Sequence, residues 1–109
     1  HAGQLGYLGT MHRNMVAVND GVAALKAGLG DAWGNTVVMF VTEFGRTVAM
    51  NGSNGTDHGT GGAAFLIGGA VKGGRVVTDW PGLKKAQQHE GRDLRPTADL
   101  RSLFKAVLH

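Results

Sequence analysis

The chain has 109 residues, 19 of them glycine, with no cysteine and a formal net charge of +3. This length suits one small α/β domain or a part of a larger one. The absence of cysteine excludes disulfide scaffolds, zinc ribbons and thiol nucleophiles. No apolar run approaches the roughly 20 residues of a membrane-spanning helix. Because glycine is costly to order, its abundance indicates loops held in shape by surrounding structure. We therefore expect a piece of a larger fold.

Most of the cationic side chains lie in the second half of the chain. Lysine and arginine recur from Lys72 to Lys105, and we interpret them as a solvated basic face. Nucleic-acid binding favours aromatic residues between the charges, and these make up only 6% of the chain. We expect no nucleic-acid partner. A basic field that draws a small anionic substrate toward a cleft remains open.

Two segments carry the periodicity of amphipathic helices. Apolar residues recur at spacings of three and four from Leu8 to Leu29, which predicts an α-helix that ends at Gly28 and Gly30. A second helix is predicted near the end of the chain, with Thr97 as its N-cap and Asp99 in its first turn.

Apolar runs at residues 36–42 and 63–68 predict two buried strands. Runs that are apolar on both faces are typical of parallel sheets, and the order helix, short turn, strand is half of a βαβ unit. The predicted fold class is therefore α/β. Val76 and Val77 predict a short third strand.

A polar, glycine-rich stretch at residues 43–62 separates the two predicted strands. A loop of about 20 residues without secondary structure is uncommon unless it is functional or disordered. This loop leaves the C-terminal end of a predicted parallel strand, where α/β sheets place their sites. Asn51 and Asn54 each begin a glycosylation sequon, although turns of this composition produce such matches freely.

Three acidic or imidazole side chains of this loop are candidates for chemistry. Glu43 at the end of the strand is placed to bind a metal or act as a base, or it is a surface carboxylate paired with Arg46. Asp57 and His58 are ordinary ligands for divalent metals, and Gly59 allows close backbone approach. An Asx-type turn explains Asp57 equally well.

Several motifs together resemble one family over essentially the whole chain. They are TEFGRT at 42–47, GTDHG at 55–59, GGAVKGGR at 68–75, WPGL at 80–83 and GRDL at 91–94. The combination resembles an uncharacterised bacterial family, domain of unknown function 1501, grouped with the alkaline phosphatase-like proteins. These include sulfatases and cofactor-independent phosphoglycerate mutases.

The resemblance implies a parallel-sheet, three-layer fold, of which residues 1–109 are the C-terminal portion of a single larger domain. The rest of the domain then lies upstream in the same chain. Members of the family are often exported by a twin-arginine signal, which implies a periplasmic or exported protein.

The resemblance also implies one or two divalent metals, zinc with manganese or calcium as alternatives. Two alignments compete. In the preferred one, Glu43 and Phe44 take the places of a strand-ending Asp-His pair and His58 is the last histidine ligand. In the other, Asp57 and His58 are that pair. His1 resembles the end of an Asp-x-His segment and shares the metal with His58.

The implied activity is metal-dependent hydrolysis of phosphate or sulfate esters, with Arg46 as the catalytic residue that hydrogen-bonds an anionic oxygen. Phe44 departs from the pattern, since its side chain cannot bind a metal. The family's nucleophile would lie upstream of these residues. The alternative is a non-catalytic exported protein that uses the same fold to bind carbohydrate or a partner.

Overall fold

The computed structural model describes residues 9–108. Two helices and two small sheets follow one another along the chain, joined by irregular segments and by 3-10 turns at Gly30–Asn35 and Lys85–Gln87. The regular elements are α1 (Thr10–Leu29), β1 (Val38–Phe40), β2 (Gly45–Arg46), β3 (His58–Gly59), β4 (Phe65–Ile67) and α2 (Leu100–Leu108).

The predicted first helix is confirmed as α1. It continues through Gly28 and ends at Gly30, whose φ of 54° lies in the left-handed region and whose N–H donates to the carbonyl of Lys26. A glycine adopts this conformation without the Cβ penalty of other residues, so it ends a helix at little cost. Leu8 lies outside the described residues.

The two predicted apolar strands are present in shortened form, as β1 and β4, and they pair with each other in antiparallel fashion. Met39 lies opposite Leu66 in this register. The expectation of parallel strands is wrong for this pair. Parallel neighbours need a crossover connection, usually a helix, and residues 41–64 contain no helix. The parallel, three-layer sheet of the larger fold remains a prediction, as does the assignment of residues 1–109 to a larger domain.

The long loop at residues 43–62 has secondary structure of its own, contrary to expectation. It contains β2 and β3, which pair in antiparallel fashion with Arg46 opposite His58. Residues 92–94 join them: Val48 N donates to Arg92 O at 2.9 Å and Leu94 N to Arg46 O at 3.0 Å. We call residues 44–62 together with residues 88–95 the hairpin cluster. The pairing explains how a glycine-rich stretch is held in one shape.

The last part of the chain corrects two further expectations. Val76 and Val77 form no strand, and they are 87% and 88% exposed. The second helix is confirmed as α2, but its cap is Asp99 rather than Thr97. Arg101 N donates to the Asp99 carboxylate at 2.9 Å, the bond an N-cap side chain accepts from the second helical residue. Asp99 therefore precedes α2 instead of lying in its first turn.

Burial is concentrated in the hairpin cluster. Among residues 9–108 no hydrophobic side chain is buried, and the buried residues are Gly45, Thr47, Gly55, Gly61 and Asp93. By contrast, in α1 and the β1–β4 sheet, which we call the apolar layer, an open cavity of about 260 Å³ lies between α1 and β1. Its lining is apolar and comes from Val18, Gly21, Val22, Leu25, Val38 and Phe40. The apolar layer thus leaves much hydrophobic surface in contact with solvent.

Candidate functional site

One face of the hairpin brings together three residues of the TEFGRT and GTDHG motifs. Arg46 and His58 are direct partners in the β2–β3 register, and side chains at directly opposed positions lie on the same face. The ring of Phe44 stacks on the imidazole of His58, with ring centroids 4.2 Å apart and planes inclined by 7°. Phe44 is 48% exposed. Strand pairing and ring stacking therefore join positions 12 and 14 residues apart in one exposed site.

The guanidinium of Arg46 is anchored to the main chain of the segment that leads into β3. Its Nη1 donates to the carbonyl of Thr56 at 3.1 Å, so the structure gives this guanidinium a backbone partner in place of the ion pair with Glu43. A guanidinium has five N–H donors, and this bond uses one. The Thr56 hydroxyl is buried and has no hydrogen-bond partner among residues 9–108. The Arg46 guanidinium is thus held at the main chain of Thr56, two positions before His58.

Asp57 is held from two directions. Its main chain pairs with Thr47, since Asp57 N donates to the Thr47 hydroxyl and Thr47 N donates to Asp57 O, both at 3.1 Å. Its carboxylate accepts a hydrogen bond from Asn51 Nδ2 at 2.9 Å. Asn51 forms an Asx-type turn of its own, in which its Oδ1 accepts from Ser53 N and Gly55 N. Asn51 and Thr47 therefore both restrain Asp57.

The predicted metal ligands are only partly assembled by the described residues. No group of three or more histidine, aspartate or glutamate side chains converges within residues 9–108. Glu43 is exposed at the end of the segment after β1, and His1 lies outside the described residues. Asp57 and His58 are exposed and of the correct chemical type. These residues fit part of a divalent metal site and require at least one further ligand.

A buried carboxylate that the sequence did not single out organises the cluster. Asp93 is 3% exposed. Its carboxylate accepts a hydrogen bond from the Thr60 hydroxyl at 2.7 Å. It also forms an ion pair with Arg92, whose Nε donates to it at 2.7 Å. These two donors, Arg92 first, lower the pKa of Asp93 below its ordinary value. Its backbone pairs with His89. Asp93 thus ties residues 89–93 to β3, only two residues from His58.

No local pattern in the sequence distinguishes Asp93 from the other acidic residues. The adjacent Arg92 and Asp93 entered the family resemblance only as part of a short motif. Their importance depends on contact with Thr60, which is 33 positions away along the chain.

Three glycines allow the backbones of the cluster to approach one another. A Cβ on Gly45 would lie 2.2 Å from Gly61 O, one on Gly59 would lie 2.6 Å from the Arg46 carbonyl carbon, and one on Gly61 would lie 2.5 Å from Leu94 O. All three distances are shorter than any real Cβ contact. The expected close approach at Gly59 is confirmed, and its neighbour is the β2 backbone.

A family model described as "Protein of unknown function (DUF1501)" matches residues 6–107. No curated protein and no solved structure matches the chain. Within residues 9–108, neither helix combines the length and hydropathy needed to cross a membrane.

Proposed function

The chain belongs to the DUF1501 family, and from this premise we propose that it carries the metal-binding part of a hydrolase acting on phosphate or sulfate esters. The single observation that carries the proposal is the stack of Phe44 on His58 at 4.2 Å. In the preferred alignment these positions correspond to histidine ligands of the two metal positions that the superfamily holds at one edge of its sheet: His58 belongs to the position shared with His1, and Phe44 to the second position, which Glu43 faces. Such positions have to be neighbours in space, and here they are.

The proposed metal neighbours are His1, Glu43, Asp57 and His58, with zinc as the preferred ion and manganese or calcium as alternatives. A divalent metal at this position supplies Lewis-acid polarisation of an ester oxygen. His58 is the firmest ligand because both alignments retain it. The small anionic ester would approach the exposed face of β2 and β3.

Arg46 has the proposed catalytic role of binding an anionic oxygen of the substrate. It lies opposite His58 in the register, and its bond to Thr56 O limits the movement of its long side chain. Guanidinium groups bind phosphate and sulfate oxygens through charge-assisted hydrogen bonds. The overall positive charge of +3 adds a weak, salt-dependent attraction for such anions.

We further propose that the exposed apolar layer is covered by polypeptide upstream in the same chain. On α1, the side chains of Met15 and Val18 are 55% and 45% exposed, and on β4 that of Phe65 is 59% exposed. Within residues 9–108, neither β1 nor β4 has a second strand partner. An uncovered sheet edge beside apolar side chains is a ready site for strand addition. From the family resemblance we also propose that the protein is periplasmic or exported.

The metal proposal is tested by soaking crystals of the full-length protein with zinc or manganese. We expect an anomalous peak within bonding distance of His58 in the unmodified protein and none in His58→Ala. His89→Ala is the matched control, because the contacts between His89 and Asp93 are made by the backbone. A peak elsewhere, or no peak at all, would refute the assignment.

A second candidate function is binding of carbohydrate or a partner without catalysis. The exposed face of Phe44 favours it, since an aromatic ring stacked on His58 presents a flat apolar surface where the family pattern has a ligand. A panel of aryl phosphates and sulfates separates the two candidates. Turnover that is lost in His58→Ala supports the hydrolase, whereas no turnover together with metal-independent sugar binding that is lost in Phe44→Ala supports the second candidate.

A further inference from the structure

The turn between β2 and β3 is closed by the side chain of Asn51. Asn51 N donates to Gly55 O at 2.7 Å, and the chain reverses through Asn54, whose φ is 60°. The Asn51 Oδ1 accepts from Ser53 N at 2.9 Å and from Gly55 N at 3.0 Å. One side chain therefore replaces the backbone acceptors that an irregular turn lacks.

The same contacts determine which way the amide points. Two backbone N–H groups face one end of the amide, so that end has to be the oxygen, which accepts hydrogen bonds. The amino group is then directed away from the turn, toward Asp57. It donates to the Asp57 carboxylate at 2.9 Å.

Asp57 is thus restrained at its main chain by Thr47 and at its carboxylate by Asn51. We propose that Asn51 is a positioning residue, which fixes the orientation of the Asp57 carboxylate. The inference rests on the proposed function, in which Asp57 neighbours the metal. Partners that hydrogen-bond a ligating carboxylate typically change metal affinity 10–100-fold when they are mutated.

The substitution Asn51→Asp isolates the decisive contact. It preserves the shape of the side chain and an oxygen acceptor for Ser53 N and Gly55 N. It replaces the amino donor by a carboxylate oxygen facing Asp57, which turns attraction into repulsion. Asn54→Asp is the matched control: it makes the same charge change three residues away at an exposed position, and aspartate tolerates its left-handed backbone. Asn51→Ala removes both functions of the side chain.

Two measurements on the full-length protein test the proposal. Titration calorimetry with zinc should give a Kd at least about 10-fold weaker for Asn51→Asp, and one within twofold of wild type for Asn54→Asp. NMR of the metal-free protein should show a single χ1 rotamer of Asp57 in wild type and Asn54→Asp, and averaged rotamers in Asn51→Asp. In that variant the amides of Ser53 and Gly55 should remain protected from exchange, whereas in Asn51→Ala they should lose protection.

The possible outcomes distinguish a failure of the positioning role of Asn51 from a failure of the proposed metal site. If zinc binds and depends on His58, but Asn51→Asp binds it as wild type does, the positioning role is wrong and the metal site stands. If no variant binds zinc, the metal proposal fails; averaged Asp57 rotamers in Asn51→Asp would then still support orientation of Asp57 by Asn51. Unchanged rotamers in Asn51→Asp would overturn the inference in either case.

Discussion

The hairpin cluster and the apolar layer differ in what holds them together. In the cluster, backbone hydrogen bonds, three closely packed glycines and the buried carboxylate of Asp93 join segments that are distant in sequence. In the apolar layer, α1 faces β1 across an open cavity and no hydrophobic side chain is buried. Hydrogen bonds and close backbone contacts hold the hairpin cluster together with little hydrophobic burial. In the apolar layer, by contrast, α1 and the sheet make too few contacts to bury their hydrophobic side chains. Substitutions of similar size should therefore act differently in the two regions.

The largest effect is expected for Gly61→Ala. A methyl group there would lie 2.5 Å from Leu94 O, and neither backbone can retreat without breaking hydrogen bonds of the cluster. We expect destabilisation of about 3 kcal/mol or more, measured by urea unfolding. Gly52→Ala is the control, because a Cβ there has no neighbour within 4 Å and should change stability by less than about 0.5 kcal/mol. Equal stabilities of the two variants would contradict the close packing.

A smaller loss is expected for Asp93→Asn. The amide has the shape of the carboxylate but cannot accept as well from both Arg92 and Thr60, so we expect Tm to fall by roughly 5 °C. Because the pKa of Asp93 is below its ordinary 3.8 in the folded protein, its stabilisation is fully present above pH 3.8. It is lost as the pH falls through the folded pKa.

The difference in Tm between Asp93→Asn and wild type should therefore be constant above about pH 4 and shrink in more acidic solution. Asp79→Asn, at an exposed position, is the control for the general change in charge. A difference in Tm that persists unchanged at pH 2 would show that the carboxylate charge is not the cause.

The smallest effect, and one of opposite sign, is expected in the apolar layer. Gly28 lies inside α1 and a Cβ there has no neighbour within 4 Å, so Gly28→Ala should stabilise the helix by about 0.5–1 kcal/mol. Gly30→Ala, two residues later, should destabilise the protein because its φ is 54°. Thermal unfolding followed by circular dichroism measures both. Destabilisation by Gly28→Ala would indicate that α1 is packed more tightly than its open surroundings imply.

The sequence by itself determined the elements that depend on local periodicity and turn chemistry. The apolar stripe of α1 and the left-handed glycine at its end are local properties, as are the apolar runs that became β1 and β4. The choice of His58 as the firmest candidate also came from the sequence, through the combination of motifs that resembles the family. The family itself is confirmed over residues 6–107, while the metal and the activity remain proposals.

Only the tertiary structure decided how these elements meet. The antiparallel direction of β1 and β4, the stack of Phe44 on His58, and the bonds of Asn51 to Asp57 and of Asp93 to Thr60 join residues that periodicity cannot relate. The physical reason is that strand direction and side-chain contacts depend on the path of the intervening chain. Here that path is a glycine-rich hairpin whose conformation is set by hydrogen bonds between distant segments.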